Sequence, residues 1–122
     1  MLEVYGTNIT VVADTPIAFN NTSVKKSCTA ELESPSTIQL NKCGVYMVEF
    51  DSGSDTALKV QMSKDGVLQP QAQSTGTSPS FTTLVQVDRD NDCCCSSPVN
   101  LRFIPSAAGT LTNANVCVTK IC

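Results

Sequence analysis

Gly44-Val45-Tyr46-Met47-Val48-Glu49-Phe50, followed at once by Asp51-Ser52-Gly53-Ser54-Asp55, decides the fold of this chain. The first string is rich in β-branched and aromatic residues, is short, and stops at small polar residues that favour turns. It therefore predicts a strand and not a turn of helix. Near-continuous apolarity predicts cover on both sides, inside a sandwich or against a neighbouring subunit.

The segments on either side repeat the theme. Thr37-Ile38-Gln39-Leu40 alternates, then Asn41-Lys42-Cys43-Gly44 makes a turn. Beyond the loop 51–55, Ala57, Leu58, Val60 and Met62 predict a second long strand. Lys64-Asp65-Gly66 is a hairpin signal, because Asp-Gly tolerates the positive φ of a tight primed turn. Val67 and Leu68 begin a return strand that Pro70 is expected to end, and residues 71–80 read as an exposed polar loop. Phe81, Thr83, Val85 and Val87 alternate with Thr82, Leu84 and Gln86; Val99, Leu101 and Phe103 alternate with Asn100, Arg102 and Ile104.

At the ends, residues 1–7 read as an extended N-terminal arm and Ile9 to Val12 as a short strand closed by Asp14-Thr15-Pro16. Ile17, Ala18 and Phe19 form a short extended piece before polar Asn20 to Ser23. Ser106 to Thr110 is a turn, and Val116, Val118 and Ile121 make a last strand. No segment carries a 3.6-residue apolar repeat. The whole predicts an all-β chain, an antiparallel β-sandwich or jelly roll, as one domain over 1–122.

The chain has 122 residues, 41% hydrophobic and only 16% charged, with net charge −3. That is little charge for a lone soluble domain, which suggests that partners cover part of the surface. Nucleic-acid binding needs a basic face, whereas the eight lysines and arginines are scattered singly or in the one pair Lys25–Lys26. No nucleic-acid partner is expected. No apolar run approaches the roughly 18 residues of a membrane span, so no membrane insertion is expected. Met1 to Gly6 lacks the basic and apolar regions of a secretory leader, which predicts synthesis in a cytoplasm and reduced thiols. Under that expectation the matches to the glycosylation sequon at Asn8, Asn20 and Asn21 carry no meaning.

Four strings resemble the C1q/TNF-like trimeric jelly roll in its bacterial form, as in the C-terminal domain of collagen-like spore-surface glycoproteins of bacilli. They are Thr15-Pro16-Ile17-Ala18-Phe19-Asn20, the pair Ser36–Leu40 and Gly44–Val48, Leu58-Lys59-Val60-Gln61 with Gly66-Val67, and Asn113 to Ile121. They cover most of the chain in the family's order, although the collagen-like stalk of those proteins is not among them. Stand-alone domains of this type also resemble decoration or head-fibre proteins of tailed bacteriophages.

The resemblance implies a homotrimer in which three jelly rolls bury one face around a threefold axis. Tyr46, Val48, Val116 and Val118 are the expected interface residues. The implied role is a non-enzymatic structural protein of a virion surface, bound to a major capsid protein or another particle surface. Two other readings are a receptor- or glycan-binding tip that uses the polar loop 71–80, and a spore or cell-surface protein.

Catalytic options are few. The chain has no histidine, which removes the commonest general base and metal ligand and excludes Ser-His-Asp and Cys-His arrangements. Asp51, Asp55, Asp88, Asp90 and Asp92 fall in expected loops, where solvated carboxylates are the default. Asp88-Arg89-Asp90-Asn91-Asp92 opens like a calcium loop, but Cys93 stands where glycine is due and the closing glutamate is missing. The seven cysteines are Cys28, Cys43, Cys93, Cys94, Cys95, Cys117 and Cys122. Three adjacent thiols cannot all reach one tetrahedral zinc. Cys93-Cys94-Cys95 reads as a loop, with intersubunit thiols as the functional alternative, while Cys43 and Cys117 read as small buried hydrophobes. No enzyme, cofactor or metal site is expected.

Overall fold

The computed structural model describes residues 1–25, 30–87 and 98–121. The expected turn or loop features at Lys26, Cys28, Asp88 to Cys95 and Cys122 lie outside the described residues. Among the described residues ten strands follow one another: β1 (Leu2–Val11), β2 (Asn21–Lys25), β3 (Ala30–Ser34), β4 (Thr37–Leu40) and β5 (Gly44–Ser54), then β6 (Leu58–Lys64), β7 (Val67–Gly76), β8 (Ser80–Val87), β9 (Val99–Pro105) and β10 (Gly109–Lys120). They form two five-stranded sheets, β2-β1-β10-β5-β8 and β3-β4-β9-β6-β7, with every pairing antiparallel. The all-β sandwich expected from the sequence is what the chain adopts.

Each strand sends alternate side chains into the space between the sheets. Leu2, Val4, Tyr46, Val48, Phe50, Val116 and Val118 fill it from the first sheet, and Ile38, Leu40, Val60, Met62, Leu101 and Phe103 from the second. Phenylalanines tie the layers together. Phe50 stacks on Phe103 with centroids 5.1 Å apart, and Phe19 meets Phe103 edge-on at 6.0 Å. Such pairs add about 0.5–1.5 kcal/mol beyond the area they bury.

Several boundaries differ from the sequence reading. Residues 2–7 are not a separate arm; they begin β1, which pairs with β10 from Leu2↔Val118 to Val11↔Gly109. The strand was hidden by a slip of phase: Leu2 and Val4 point inward, then Ile9 and Val11 do. Asn8 makes the slip at φ 51, a left-handed conformation that asparagine tolerates better than most residues. Strand β5 runs on through the expected loop to Ser54, and β7 continues past Pro70 to Gly76. Pro70 is tolerated because β7 is a sheet edge and the proline lies in a bulge, where no ladder donor is needed. Ile17 and Phe19 are buried outside any strand, anchored by Ile17 N–H to the Phe103 carbonyl at 2.9 Å and by Phe19 N–H to the Pro35 carbonyl at 2.6 Å.

Candidate self-association surface

Tyr46, Val48, Val116 and Val118, expected at a subunit interface, lie inside the chain's own core, each at most 1% exposed. A side chain already covered by its own second sheet cannot also face a partner, so these four are core residues. Tyr46 even closes its hydroxyl internally, donating to the Lys42 carbonyl at 2.6 Å. The residues that alternate with them carry the outer face.

Backbone register lines that face up in rows. Thr119 of β10 sits opposite Met47 of β5, which sits opposite Leu84 of β8. The next row runs Glu3, Cys117, Glu49, Thr82 across β1, β10, β5 and β8. A third runs Tyr5, Asn115, Asp51, Ser80. Beyond Met47 the face is extended by Val45, whose carbonyl accepts the Ile121 N–H at 2.8 Å. One end of the outer face is therefore apolar, with Leu84 58% and Ile121 52% exposed, and it grades into polar and acidic rows.

Cross-strand partners polarise the middle row. Glu3 accepts hydrogen bonds from the Ser23 hydroxyl and from Asn115 Nδ2, the latter at 3.3 Å. These bonds favour the charged form and hold the Glu3 carboxyl below its ordinary pKa. Cys117 is half-buried, not buried as expected from its strand pattern. Its burial, then the nearby carboxylates Glu3 and Glu49, push its thiol pKa up. A thiol so placed stays protonated and is a poor nucleophile. Cys43 is also half-buried, just before β5.

The second sheet's outer face has a different character. Glu31, Gln39 and Asn100 are cross-strand neighbours, and Gln39 Nε2 donates to Asn100 Oδ1 at 3.4 Å. Asn41 Nδ2 donates to Glu31 Oε1 at 3.4 Å, and Lys25 and Glu31 form an ion pair at 3.9 Å. At this β3–β4–β9 end of the face the polar groups satisfy one another. The first sheet's outer face carries half-buried Val45 and Met47 beside exposed Leu84 and Ile121, while the second sheet's exposed apolar residues, Val67 and Leu68, sit on its edge strand β7.

The sequence held the signal for this face, assigned to the wrong phase. Alternation in 81–87 leaves Leu84 as an apolar residue on the polar side. In the Gly44–Phe50 string, Glu49 marks which phase faces out, and Val45 and Met47 share it. Asp51 and Asp55, weighed as carboxylates for catalysis, lie apart on and after β5; Asp55 Oδ1 accepts the Thr110 N–H at 3.0 Å. Among the described residues, no three cysteine, aspartate or glutamate side chains converge as metal ligands.

No protein-family model matches the chain, and no curated protein sequence matches it. Solved structures do. The globular domain of zebrafish complement 1qA protein superposes with TM-score 0.75 at 13% identity, over 99% of this chain and 96% of that one. Rabbit GITRL superposes with TM-score 0.64 at 8% identity, over 100% and 95% of the two chains. Murine APRIL superposes with TM-score 0.59 at 14% identity, over 98% and 97%.

Proposed function

We propose, for a chain that has the C1q/TNF-like jelly-roll fold, that it is a non-enzymatic structural protein which works as a homotrimer. The observation that carries this reading is the apolar patch at one end of the first sheet's outer face. Val45, Met47, Leu84 and Ile121 form an apolar patch on one sheet's outer face, with Leu84 and Ile121 exposed and the other two half-buried, whereas the β3–β4–β9 part of the opposite face is polar and internally paired. Exposed apolar clusters rimmed by polar residues mark protein contacts, and a threefold ring would cover this one with no open edge left for further growth. The outer face of β1, β10, β5 and β8 thus replaces Tyr46, Val48, Val116 and Val118 as the buried surface.

The role we favour for the trimer is decoration of a bacteriophage capsid or similar particle. Support comes from the strings at Thr15–Asn20, Gly44–Val48 and Asn113–Ile121, which resemble the C1q/TNF-like jelly roll, a domain type that also stands alone among virion proteins of tailed bacteriophages. The polar, internally paired β3–β4–β9 part of the second sheet is suited to point into solvent from such a particle. Immunogold electron microscopy of particles from the native source, with antibody to this chain, tests the assignment. Gold on particle surfaces is expected; label confined to the particle-free fraction would contradict it.

A further inference from the structure

The outer face of the first sheet bears carboxylates but, among the described residues, no lysine or arginine. Glu3 of β1 and Glu49 of β5 stand on either side of Cys117 of β10, and Asp51 of β5 falls in the next row. The two lysines of this sheet lie in the opposite phase. Lys25 is opposite inward-facing Leu2 and forms its ion pair with Glu31 of the second sheet, at 3.9 Å. Lys120 is opposite inward-facing Tyr46 at the end of β10. Strand β8 carries no charge. The amino-terminal ammonium is felt at Cys117 as the weakest of several influences, and it enters from β1, two strands from Glu49.

Glu3 and Glu49 differ in their partners. Glu3 takes hydrogen bonds from Ser23 and Asn115, which favour its charged form. Glu49 has Cys117 and Thr82 across the sheet and Met47 and Asp51 along its own face of β5, and it is half-buried before any partner arrives. It also borders the apolar patch: Met47 is two residues away, about 7 Å along the strand, and Thr82 is as near to Leu84. A stable interface buries about 800 Å² on each partner. Val45, Met47, Leu84 and Ile121, two of them already half-buried, supply only part of that area. A copy seated on the patch therefore reaches over the next row and takes Glu49 out of water.

We propose that the trimer put forward above, on which this inference rests, is tightened by acid: each Glu49 takes up a proton from solvent as three copies close over it. Lost hydration and the nearby Glu3 and Asp51 carboxylates both disfavour charge on a covered Glu49, and the face has no lysine or arginine of its own to offset it. Cys117 stays a neutral thiol throughout, because burial and the two glutamates push its pKa up. A carboxyl that holds its proton better in the assembly than in the free chain favours the trimer as pH falls and opposes it as pH rises. Three sites act together, so a gain of a little over twofold at each multiplies to roughly tenfold.

The test is fluorescence-detected sedimentation of the labelled full chain, diluted from micromolar to nanomolar at pH 7.5 and at pH 5.0, in chelator and at fixed ionic strength. The association constant of the parent trimer should rise about tenfold or more on acidification. Glu49→Gln should already be tighter than the parent at pH 7.5 and lose most of the pH dependence. Glu33→Gln removes an exposed carboxylate from β3 of the other sheet and should behave as the parent, which separates Glu49 from the fall in net charge. A parent trimer equally tight at both pH values would overturn this inference and leave the trimer standing. So would a Glu49→Gln trimer no tighter than the parent at pH 7.5, or a Glu33→Gln chain that loses the pH dependence to the same extent. A chain that stays monomeric at both pH values, parent and Glu49→Gln alike, would overturn the trimer reading and this inference together.

Discussion

Glu3 and Tyr46 are both strand residues of the first sheet, yet their environments set opposite chemistry. Tyr46 spends its hydroxyl on the Lys42 carbonyl inside the core, whereas Glu3 gathers Ser23 and Asn115 on the outer face. Because these bonds lower the folded-state pKa of Glu3, its contribution to stability is present above the ordinary carboxylate range and is lost as pH falls through the folded value. Glu3→Gln should therefore be less stable than the parent at pH 7, with the gap closing toward pH 3 in urea titrations. A gap that stays constant over that range would refute the assignment. The identity of the buried aromatic was legible from the sequence, but its direction was not. In a run apolar in both phases, period two says which residues share a face without saying which face is inside. Glu49, a single charge on one phase, was the deciding residue.

The β6–β7 hairpin shows what an element can encode locally. Asp65 and Gly66 take φ of 51 and 86, the left-handed pair that their Asp-Gly sequence predicts. Asp65 also locks the hairpin to β9: its N–H donates to the Asn100 carbonyl at 2.9 Å and its Oδ1 accepts the Asn100 N–H at 2.8 Å. Asp65→Ala loses the carboxylate acceptor and adds strain at positive φ. It should cost about 1–2 kcal/mol by chemical denaturation, and Asp65→Asn should cost less; equal losses in the two would contradict this account. Among the edge strands, β8 is legible from its alternation, while β2 and the far half of β7 are not. Asn21–Lys25 has no buried side chain and 71–76 only Ala72, so neither leaves an apolar stripe, and their Ser, Thr and Gln read as loop. Central strand β9 buries one full phase and is legible from it, β5 is legible as a strand from apolarity in both phases, and β10 shifts phase between Leu111 and Ala114, so only its second half is legible. In β1 only the half after Asn8 is legible, because the slip there puts Leu2 and Val4 in one phase and Ile9 and Val11 in the other.

For the whole molecule, the scarcity of charge now has a location. It does not spread evenly: the β3–β4–β9 part of the second sheet is polar and paired, and exposed apolar side chains gather at Leu84 and Ile121 on the first sheet and at Val67 and Leu68 on the edge strand β7. The candidate interface was thus legible as a need for burial, through composition, but not as a set of residues, since the most apolar strand positions were claimed first by the chain's own second sheet. The account rests on that face being covered by two further copies, and sedimentation equilibrium at micromolar concentration measures this directly. The parent chain should sediment at three times its 12.9 kDa mass, and Leu84→Glu, an exposed change outside the core, should sediment as a folded monomer. A parent chain that remains a monomer at that concentration, or a Leu84→Glu variant as trimeric as the parent, would contradict it.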